Sequence, residues 1–322
     1  MICGENGEKL SMIVLTGPTA VGKTKLSIAL AKAVKGEIIS ADSMQVYRHM
    51  DIGSAKITEE EMQDVPHHLI NVLEPQEAFN VVIFKEMCEK ALRDIYRRGH
   101  IPIVTGGTGF YIQALLRDID FTENQENAEY RASLEGLAAR EGTEALYQML
   151  LRADPEAAQS IHQNNTKRII RALEYYELTG QKISAHNEQE KQKTEAYRSC
   201  YFVLNDLRER LYERIEQRID EMLGQGLVEE VRKLQAMGCH RGMVSMQGLG
   251  YKEILSYLEG EYTYEQAVEI LKRDTRHFAK RQLTWFRREN GVIWINKNEF
   301  GYDEQKILSF LLKTLERHGI LS

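Results

Sequence analysis

Short apolar runs alternate along the chain with longer segments in which apolar residues recur every three or four positions. The short runs predict strands at Met12–Thr16, Glu37–Ser40, Ile101–Thr105, Tyr201–Leu204 and Val292–Asn296. Helical spacing separates the first three runs. Because strands that alternate with helices are typical of βαβ units, the pattern predicts an α/β fold with a five-stranded parallel sheet in a three-layer core.

The strand pattern is interrupted in the middle of the chain. Between residues 118 and 199, the apolar residues form helical stripes instead, such as the one that contains Leu146 and Leu150. We therefore predict two domains: a catalytic core formed by residues 1–117 and 200–322, and a helical insertion domain formed by residues 118–199.

Composition limits the class of protein. The 322 residues are 43% apolar and carry a net charge of −6, so no overall excess of positive charge indicates nucleic-acid binding. The four cysteines are scattered without a C-x-x-C pair, which argues against a disulfide framework or a zinc site. No apolar run approaches the ~18 residues of a membrane span. A cytoplasmic enzyme that does not bind a membrane is expected.

A phosphate-binding loop follows the first predicted strand. The segment Gly17-Pro18-Thr19-Ala20-Val21-Gly22-Lys23-Thr24 matches G-x-x-x-x-G-K-[ST] in full, and a helical pattern follows it. Backbone N–H groups at such a helix N-terminus bind phosphate, Lys23 would contact the terminal phosphates, and the Thr24 hydroxyl would ligate Mg²⁺. The loop makes the predicted core P-loop NTPase-like, but it does not identify the polyphosphate.

The predicted strand at Ile101–Thr105 has an unusual end. P-loop ATPases commonly place an acidic residue there to hold Mg²⁺, whereas this strand runs into Gly106-Gly107-Thr108-Gly109. A tight turn with positive φ would explain the glycines but not Thr108, whose hydroxyl could instead face a ligand.

Asp42 follows the second predicted strand and is the nearest carboxylate to the phosphate loop. It could orient Mg²⁺, act as a general base or cap a helix, and Ser43 could either be the cap or have a functional role. Gln45 has an amide suited to hydrogen bonding with the edge of a nucleobase.

Basic residues are concentrated in three segments of this acidic chain. The Arg210, Arg214 and Arg218 side chains lie four residues apart, and they either converge on an anion or pair with neighbouring glutamates. Residues 272–288 contain seven basic residues, with Trp285 and Phe286 close by, a composition that suits an RNA backbone and an unstacked base. The third segment contains Lys167, Arg168 and Arg171.

Taken in order, these motifs resemble the bacterial tRNA dimethylallyltransferases, also called tRNA isopentenyltransferases. The matching segments are the phosphate loop, 40–48, 50–56, 66–69, 106–111, 168–174, 214–218, 247–252 and 280–286. One departure is that Ile57, and not proline, follows Lys56.

The resemblance implies transfer of a dimethylallyl group from dimethylallyl diphosphate to N6 of adenine 37 in tRNAs that read codons beginning with U. It implies Mg²⁺ as cofactor, Asp42 as base, Thr108 between diphosphate and amine, and Arg214 or Arg218 at the diphosphate. The insertion domain would bind the anticodon stem-loop, and a monomer is expected. The implied tRNA contacts are Asp42, Ser43, Met44, Gln45, Arg131, Lys167, Arg168, Ile169, Ile170, Arg171, Gln247, Gly248, Leu249, Gly250, Tyr251, Lys252 and Arg281.

Two other functions are compatible with parts of the sequence. An ATP-dependent small-molecule kinase would explain the phosphate loop, but neither the helical insertion nor the basic segments. A non-catalytic, nucleotide-gated RNA-binding protein would explain the basic segments and would leave Asp42 without a catalytic role.

Overall fold

The structure is a computed structural model that describes residues 8–121 and 128–321. Its contacts divide the chain into two compact units, one formed by Met1–Leu116 with Ala196–Ser322 and the other by Arg117–Glu195. The chain rejoins the first unit at Ala196, earlier than residue 200, because the Ala196 N–H donates a 2.7 Å hydrogen bond to the Leu116 carbonyl.

The first unit is built on a parallel sheet that has six strands in the described residues, so the predicted number of five is wrong. The strands are β1 (Ser11–Thr16), β2 (Gly36–Ser40), β3 (His67–His68), β4 (Ile101–Gly106), β5 (Arg198–Asn205) and β6 (Val292–Asn296). Their spatial order is β3-β2-β4-β1-β5-β6. The unpredicted strand, β3, is too short to show a hydrophobic period in the sequence.

Both faces of the sheet are covered. Residues 12–15 of β1 are all 0% exposed, although successive side chains of a strand point to opposite faces. The α/β fold class is therefore confirmed. The helices are α1 (Lys23–Val34), α2 (Glu59–Met62), α3 (Val81–Arg97), α4 (Gly109–Leu116), α5 (Ala128–Glu141), α6 (Thr143–Ala153), α7 (Pro155–Ser160), α8 (Thr166–Thr179), α9 (Ile183–Gln192), α10 (Arg208–Gly224), α11 (Leu227–Ala236), α12 (Tyr251–Leu258), α13 (Tyr264–Phe286) and α14 (Glu304–Arg317).

The second unit contains α5 to α9 and has its own core. Leu134 of α5, Leu146 and Leu150 of α6, and Ile169 and Leu173 of α8 are buried together. Because these residues recur at helical spacing, each helix presents one apolar stripe to the others. Among all the helices of the described chain, none is long and apolar enough to cross a membrane.

A buried carboxylate joins β2 to its neighbours. The Glu37 side chain is 1% exposed and accepts hydrogen bonds from Arg98 through both oxygens, at 2.8 and 2.7 Å. His68 Nε2 and His100 Nδ1 each lie 2.7 Å from a Glu37 oxygen. Burial alone would raise the pKa of Glu37, but the hydrogen bonds from Arg98 and the two histidines outweigh it and lower the pKa to about 2.

Replacing Glu37 with Gln is expected to lower the free energy of unfolding by about 3 kcal/mol near neutral pH. Because folding lowers the pKa of Glu37, its contribution is present above the ordinary pKa of 4.5 and is lost as pH falls toward 2. Urea unfolding as a function of pH should show the difference between wild type and Glu37→Gln shrinking over that interval. The exposed Glu86→Gln variant is the control, and a difference that does not change with pH would contradict the assignment.

Candidate active site

The phosphate loop connects β1 to α1 and depends on two glycines. Gly17 has φ 152°, and a Cβ there would lie 2.6 Å from the Leu204 carbonyl oxygen of β5. Gly22 has φ 97° and immediately precedes α1. A side chain at either position would be strained, so both glycines of the motif have a geometric cause. The free N–H groups of the first turn of α1 provide the anion-binding end of the loop.

Lys23 folds back over the loop. Its ammonium donates hydrogen bonds to the carbonyls of Gly17 at 2.9 Å and Pro18 at 2.8 Å. Burial, and then the positive charge of Arg218, lower the pKa of Lys23 to about 7, while Asp42 acts in the opposite direction. An anion bound beside Lys23 would favour its ammonium form.

Two arginines of α10 converge on the same place. Leu211, Ile215 and Ile219 bury one face of the helix against the core, which directs the side chains beside that face toward the loop. Arg214 reaches Gly22, where a Cβ would lie 3.5 Å from its guanidinium. Arg218 interacts with Asp42 and Arg214, and burial lowers its pKa.

Arg210 has a different environment from the other two arginines. Its guanidinium stacks over the Tyr302 ring, 3.9 Å from the ring centroid. Arg214 and Arg218 therefore lie beside the phosphate loop, whereas Arg210 does not share that environment.

Asp42 lies just after β2, and one of its carboxylate oxygens has the predicted role of a cap. Its Oδ1 accepts hydrogen bonds from the N–H groups of Met44 at 2.8 Å and Gln45 at 3.3 Å, so it caps the following turn. Within the described residues, Oδ2 has no hydrogen-bond partner. This second oxygen is available to a ligand, and the charge of Asp42 acts on both Lys23 and Arg218.

Thr108 lies beside Asp42 because the ends of β2 and β4 are hydrogen-bonded. The Ala41 N–H donates to the Thr105 carbonyl at 2.7 Å, and the Thr108 N–H donates to the Ala41 carbonyl at 3.2 Å. The glycines of this loop do not have positive φ, so that explanation is wrong. They permit close approach instead, since a Cβ at Gly106 would lie 2.2 Å from the Ala41 oxygen.

Gln282 of α13 links the phosphate loop to the loop after β4, and it was not among the predicted site residues. Its carbonyl accepts from the Thr19 N–H at 2.9 Å, and its amide donates to the Gly107 carbonyl at 3.0 Å. The signal in the sequence is a polar residue at the helical spacing of buried Ala279 and Phe286.

The predicted tRNA contacts of the first unit differ in accessibility. Ser43 and Met44 are half-buried, and the Met44 sulfur lies 2.6 Å from where a Cβ of Gly248 would be. The Gln45 amide is used internally, between the Ser40 hydroxyl and the carbonyls of Ser54 and Ala55. Reading of a base edge by Gln45 therefore requires these bonds to break.

Most of the segment 247–252 is buried or half-buried and does not form an open surface. Gln247 is exposed and Leu249 is half-buried, whereas Gly248 and Gly250 are buried. The Tyr251 hydroxyl donates to Glu230 at 2.8 Å inside the core, so its side chain is not available to RNA. Lys252 is half-buried and lies 3.3 Å from Glu253.

In the second unit, some of the predicted tRNA contacts are buried and others are exposed. Ile169 and Ile170 are 0% and 5% exposed in the core of that unit, so their side chains do not form a tRNA contact, and this part of the prediction is corrected. Arg131 pairs with Glu174 through two hydrogen bonds of 2.9 and 2.8 Å. Lys167 and Arg168 are exposed.

The basic residues of α13 divide along the helix. In the first half, Lys272 and Arg276 pair with Asp220 and Glu216 of α10. In the second half and just after the helix, the described residues provide no acidic partner for Lys280, Arg281, Arg287 or Arg288. A concave surface there is lined by His277, Lys280, Arg281, Thr284, Trp285 and Arg288.

Comparison with known proteins assigns the family. The family model described as IPP transferase matches residues 45–289. The chain belongs to the IPP transferase family. It is 58% identical over 310 residues to a tRNA dimethylallyltransferase of Lachnoclostridium phytofermentans, covering 96% of this chain and 99% of that protein. It is 49% identical over 310 residues to the enzyme of the same name from Acetivibrio thermocellus, with the same coverage.

Solved structures of IPP transferases share the fold. The tRNA isopentenylpyrophosphate transferase of Bacillus halodurans is 42% identical with a TM-score of 0.72, over 97% of this chain and 98% of that one. A eukaryotic dimethylallyltransferase acting on tRNA is 30% identical with a TM-score of 0.77, over 89% and 74%. The predicted family and the transferase class are therefore confirmed.

The pKa of Lys23 gives a test of the site electrostatics of this IPP transferase. Because burial and Arg218 disfavour the ammonium, acylation of Lys23 by a limiting amount of an amine-reactive reagent should reach half its maximum near pH 7. Bound pyrophosphate should shift that midpoint upward, because its negative charge favours the ammonium. Mass spectrometry of labelled peptides measures it, with exposed Lys25 as the control. A Lys23 midpoint in the alkaline range of an ordinary lysine would contradict the account.

Proposed function

We propose that this protein transfers a dimethylallyl group from dimethylallyl diphosphate to N6 of adenine 37 in tRNAs that read codons beginning with U. One observation carries the proposal: a cluster of cations and a carboxylate lie close together. Lys23, Arg214 and Arg218 lie at the phosphate loop, and Asp42 and Thr108 lie at the adjoining strand ends. The family assignment supports it.

The first step is binding of the diphosphate as a leaving group. Free N–H groups of the first turn of α1 and the nearby cations stabilise negative charge, which increases as the bond between the allylic carbon and the diphosphate oxygen breaks. Because no γ-phosphate is attacked, the absence of an acidic residue directly after β4 is no obstacle.

The second step is attack by the adenine amine. The N6 nitrogen forms a bond to the allylic carbon, the electrons of the broken C–O bond leave with the diphosphate, and a proton moves from N6 to Asp42 Oδ2. Thr108 would hold the amine beside the diphosphate. Cap hydrogen bonds to Oδ1 fix the Asp42 carboxylate in place.

We propose that Mg²⁺ binds together with the diphosphate and not at a separate protein site. Within the described residues, no group of three or more His, Cys, Asp and Glu side chains could hold a metal, whereas Thr24 is exposed in the first turn of α1. Mg²⁺ at phosphate sites is commonly held by substrate oxygens, water and one or two protein ligands. Thr24 would be that ligand, and the ion would neutralise diphosphate charge.

For tRNA, we propose backbone contacts by Lys167, Arg168 and Arg171 of the helical unit and by Arg281 of α13. Exposure of Lys167, Arg168 and Arg281 supports the proposal. The target adenine must leave its stack in the anticodon loop to reach Asp42. We further propose that the protein acts in the cytoplasm as a monomer.

Incubation with unmodified tRNA and dimethylallyl diphosphate, followed by mass analysis of the nucleosides, tests the proposal. A mass gain of one dimethylallyl group on adenosine 37 is expected without ATP. Phosphate transfer from ATP to a small acceptor would favour the kinase alternative instead. Tight tRNA binding without a modified base would favour the non-catalytic alternative.

Asp42→Asn should abolish most transfer without loss of tRNA binding. The amide oxygen can still accept from Met44 and Gln45, so the turn is retained, but the base is lost and single-turnover transfer should fall at least about 100-fold. Asp220→Asn, which removes an exposed carboxylate, is the control. Transfer by Asp42→Asn at a near-normal rate would remove Asp42 from the role of base.

Salt dependence of binding tests the basic cluster of the second unit. Neutralising Lys167, Arg168 and Arg171 together should flatten the slope of log affinity against log salt by roughly 0.7 to 0.9 for each tRNA phosphate that the cluster neutralises. Neutralising Lys306, Lys313 and Arg317 on α14 is the control. An unchanged slope for the first variant would exclude the cluster from the tRNA interface.

A further inference from the structure

Lys297 is a buried lysine with little to hold its charge. It directly follows β6, opens the 3₁₀ turn Lys297–Phe300, and is 7% exposed. Its ammonium donates one hydrogen bond, to the Val21 carbonyl at 3.2 Å. No carboxylate in the described residues forms an ion pair with it, although a buried lysine is rarely left without a partner.

The ammonium lies against the phosphate loop. A Cβ at Gly22 would be 3.2 Å from Lys297 Nζ and 3.5 Å from the Arg214 guanidinium, so the two cations approach one glycine at the N-terminus of α1. Burial and the charge of Arg214 lower the pKa of Lys297, and Asp206 and Glu304 offset this in part. Two cations and a helix N-terminus repel one another unless an anion lies between them.

We propose that Lys297 is a diphosphate-binding residue, whose ammonium joins Lys23 and Arg214 around the diphosphate in the phosphate loop. The inference rests on the proposed function, because that function supplies the anion. It also adds a cation from the turn that follows β6, which is far from the phosphate loop in the sequence.

A purely structural role is the competing explanation. Lys297 could serve only to tie the end of β6 to Val21, with no contact to a ligand. Lys297→Gln separates the two roles because a Gln amide can still donate to the Val21 carbonyl but has no charge. Lys297→Met removes both the donor and the charge.

The experiment is calorimetric titration of inorganic pyrophosphate into wild type, Lys297→Gln, Lys297→Met and the control Lys25→Gln. Lys25 lies two residues beyond Lys23 in the sequence, but its side chain is 80% exposed and pairs with Glu304. Both Lys297 variants should bind about 10- to 100-fold more weakly than wild type. The control should stay within about twofold of wild type, because an exposed pair contributes little.

Thermal unfolding with and without pyrophosphate accompanies the titration, because the shift caused by the ligand can be compared even if a variant starts less stable. A smaller shift in both Lys297 variants supports the proposal. Pyrophosphate affinity of Lys297→Gln equal to wild type would overturn it while leaving the proposed function intact. Failure of wild type to bind pyrophosphate would overturn the proposed function, and this inference with it.

Discussion

Positive charge at the N-terminus of α1 is the constraint on which the site depends. Lys23, Arg214, Arg218 and Lys297 come from three separate parts of the chain and meet where the helix already presents free N–H groups. Close contacts make this possible, because Gly17 lies against β5 and Gly22 leaves room for two cationic groups. The shared electrostatic consequence is that burial lowers the pKa values of Lys23, Arg218 and Lys297, a cost that a bound anion would offset.

The parallel sheet brings Asp42 to the phosphate loop. β2 and β4 are neighbours, and hydrogen bonds between Ala41, Thr105 and Thr108 fix their ends side by side. Gln282 then joins the loop after β4 to the phosphate loop. Because Gln282 lies one residue from Arg281 on α13, the helix that we propose binds RNA is also part of the frame of the site. That arrangement suits a reaction in which two substrates must be aligned.

Local patterns in the sequence predict the parts of the structure that depend on neighbouring residues. The strands of the sheet centre, the phosphate loop and the arginine series of α10 all have a period or a motif. β3 has neither, and Ile169 and Ile170 were misplaced because a motif resemblance does not distinguish a buried helix face from an exposed one. Lys297 and Gln282 reach the site by long-range packing, 276 and 263 residues from their hydrogen-bond partners in the loop. Helical spacing places Gln282 on a buried face of α13, but spacing along the sequence does not show which distant residues a side chain contacts.

The central claim is that the phosphate loop holds a diphosphate that departs intact. It is tested most directly by following dimethylallyl diphosphate labelled with radioactive phosphorus during a single turnover with unmodified tRNA. The account predicts release of unbroken pyrophosphate in step with alkylated adenosine, at equal yield and without ATP. Release of inorganic phosphate, transfer of label to an acceptor, or a requirement for ATP would contradict it.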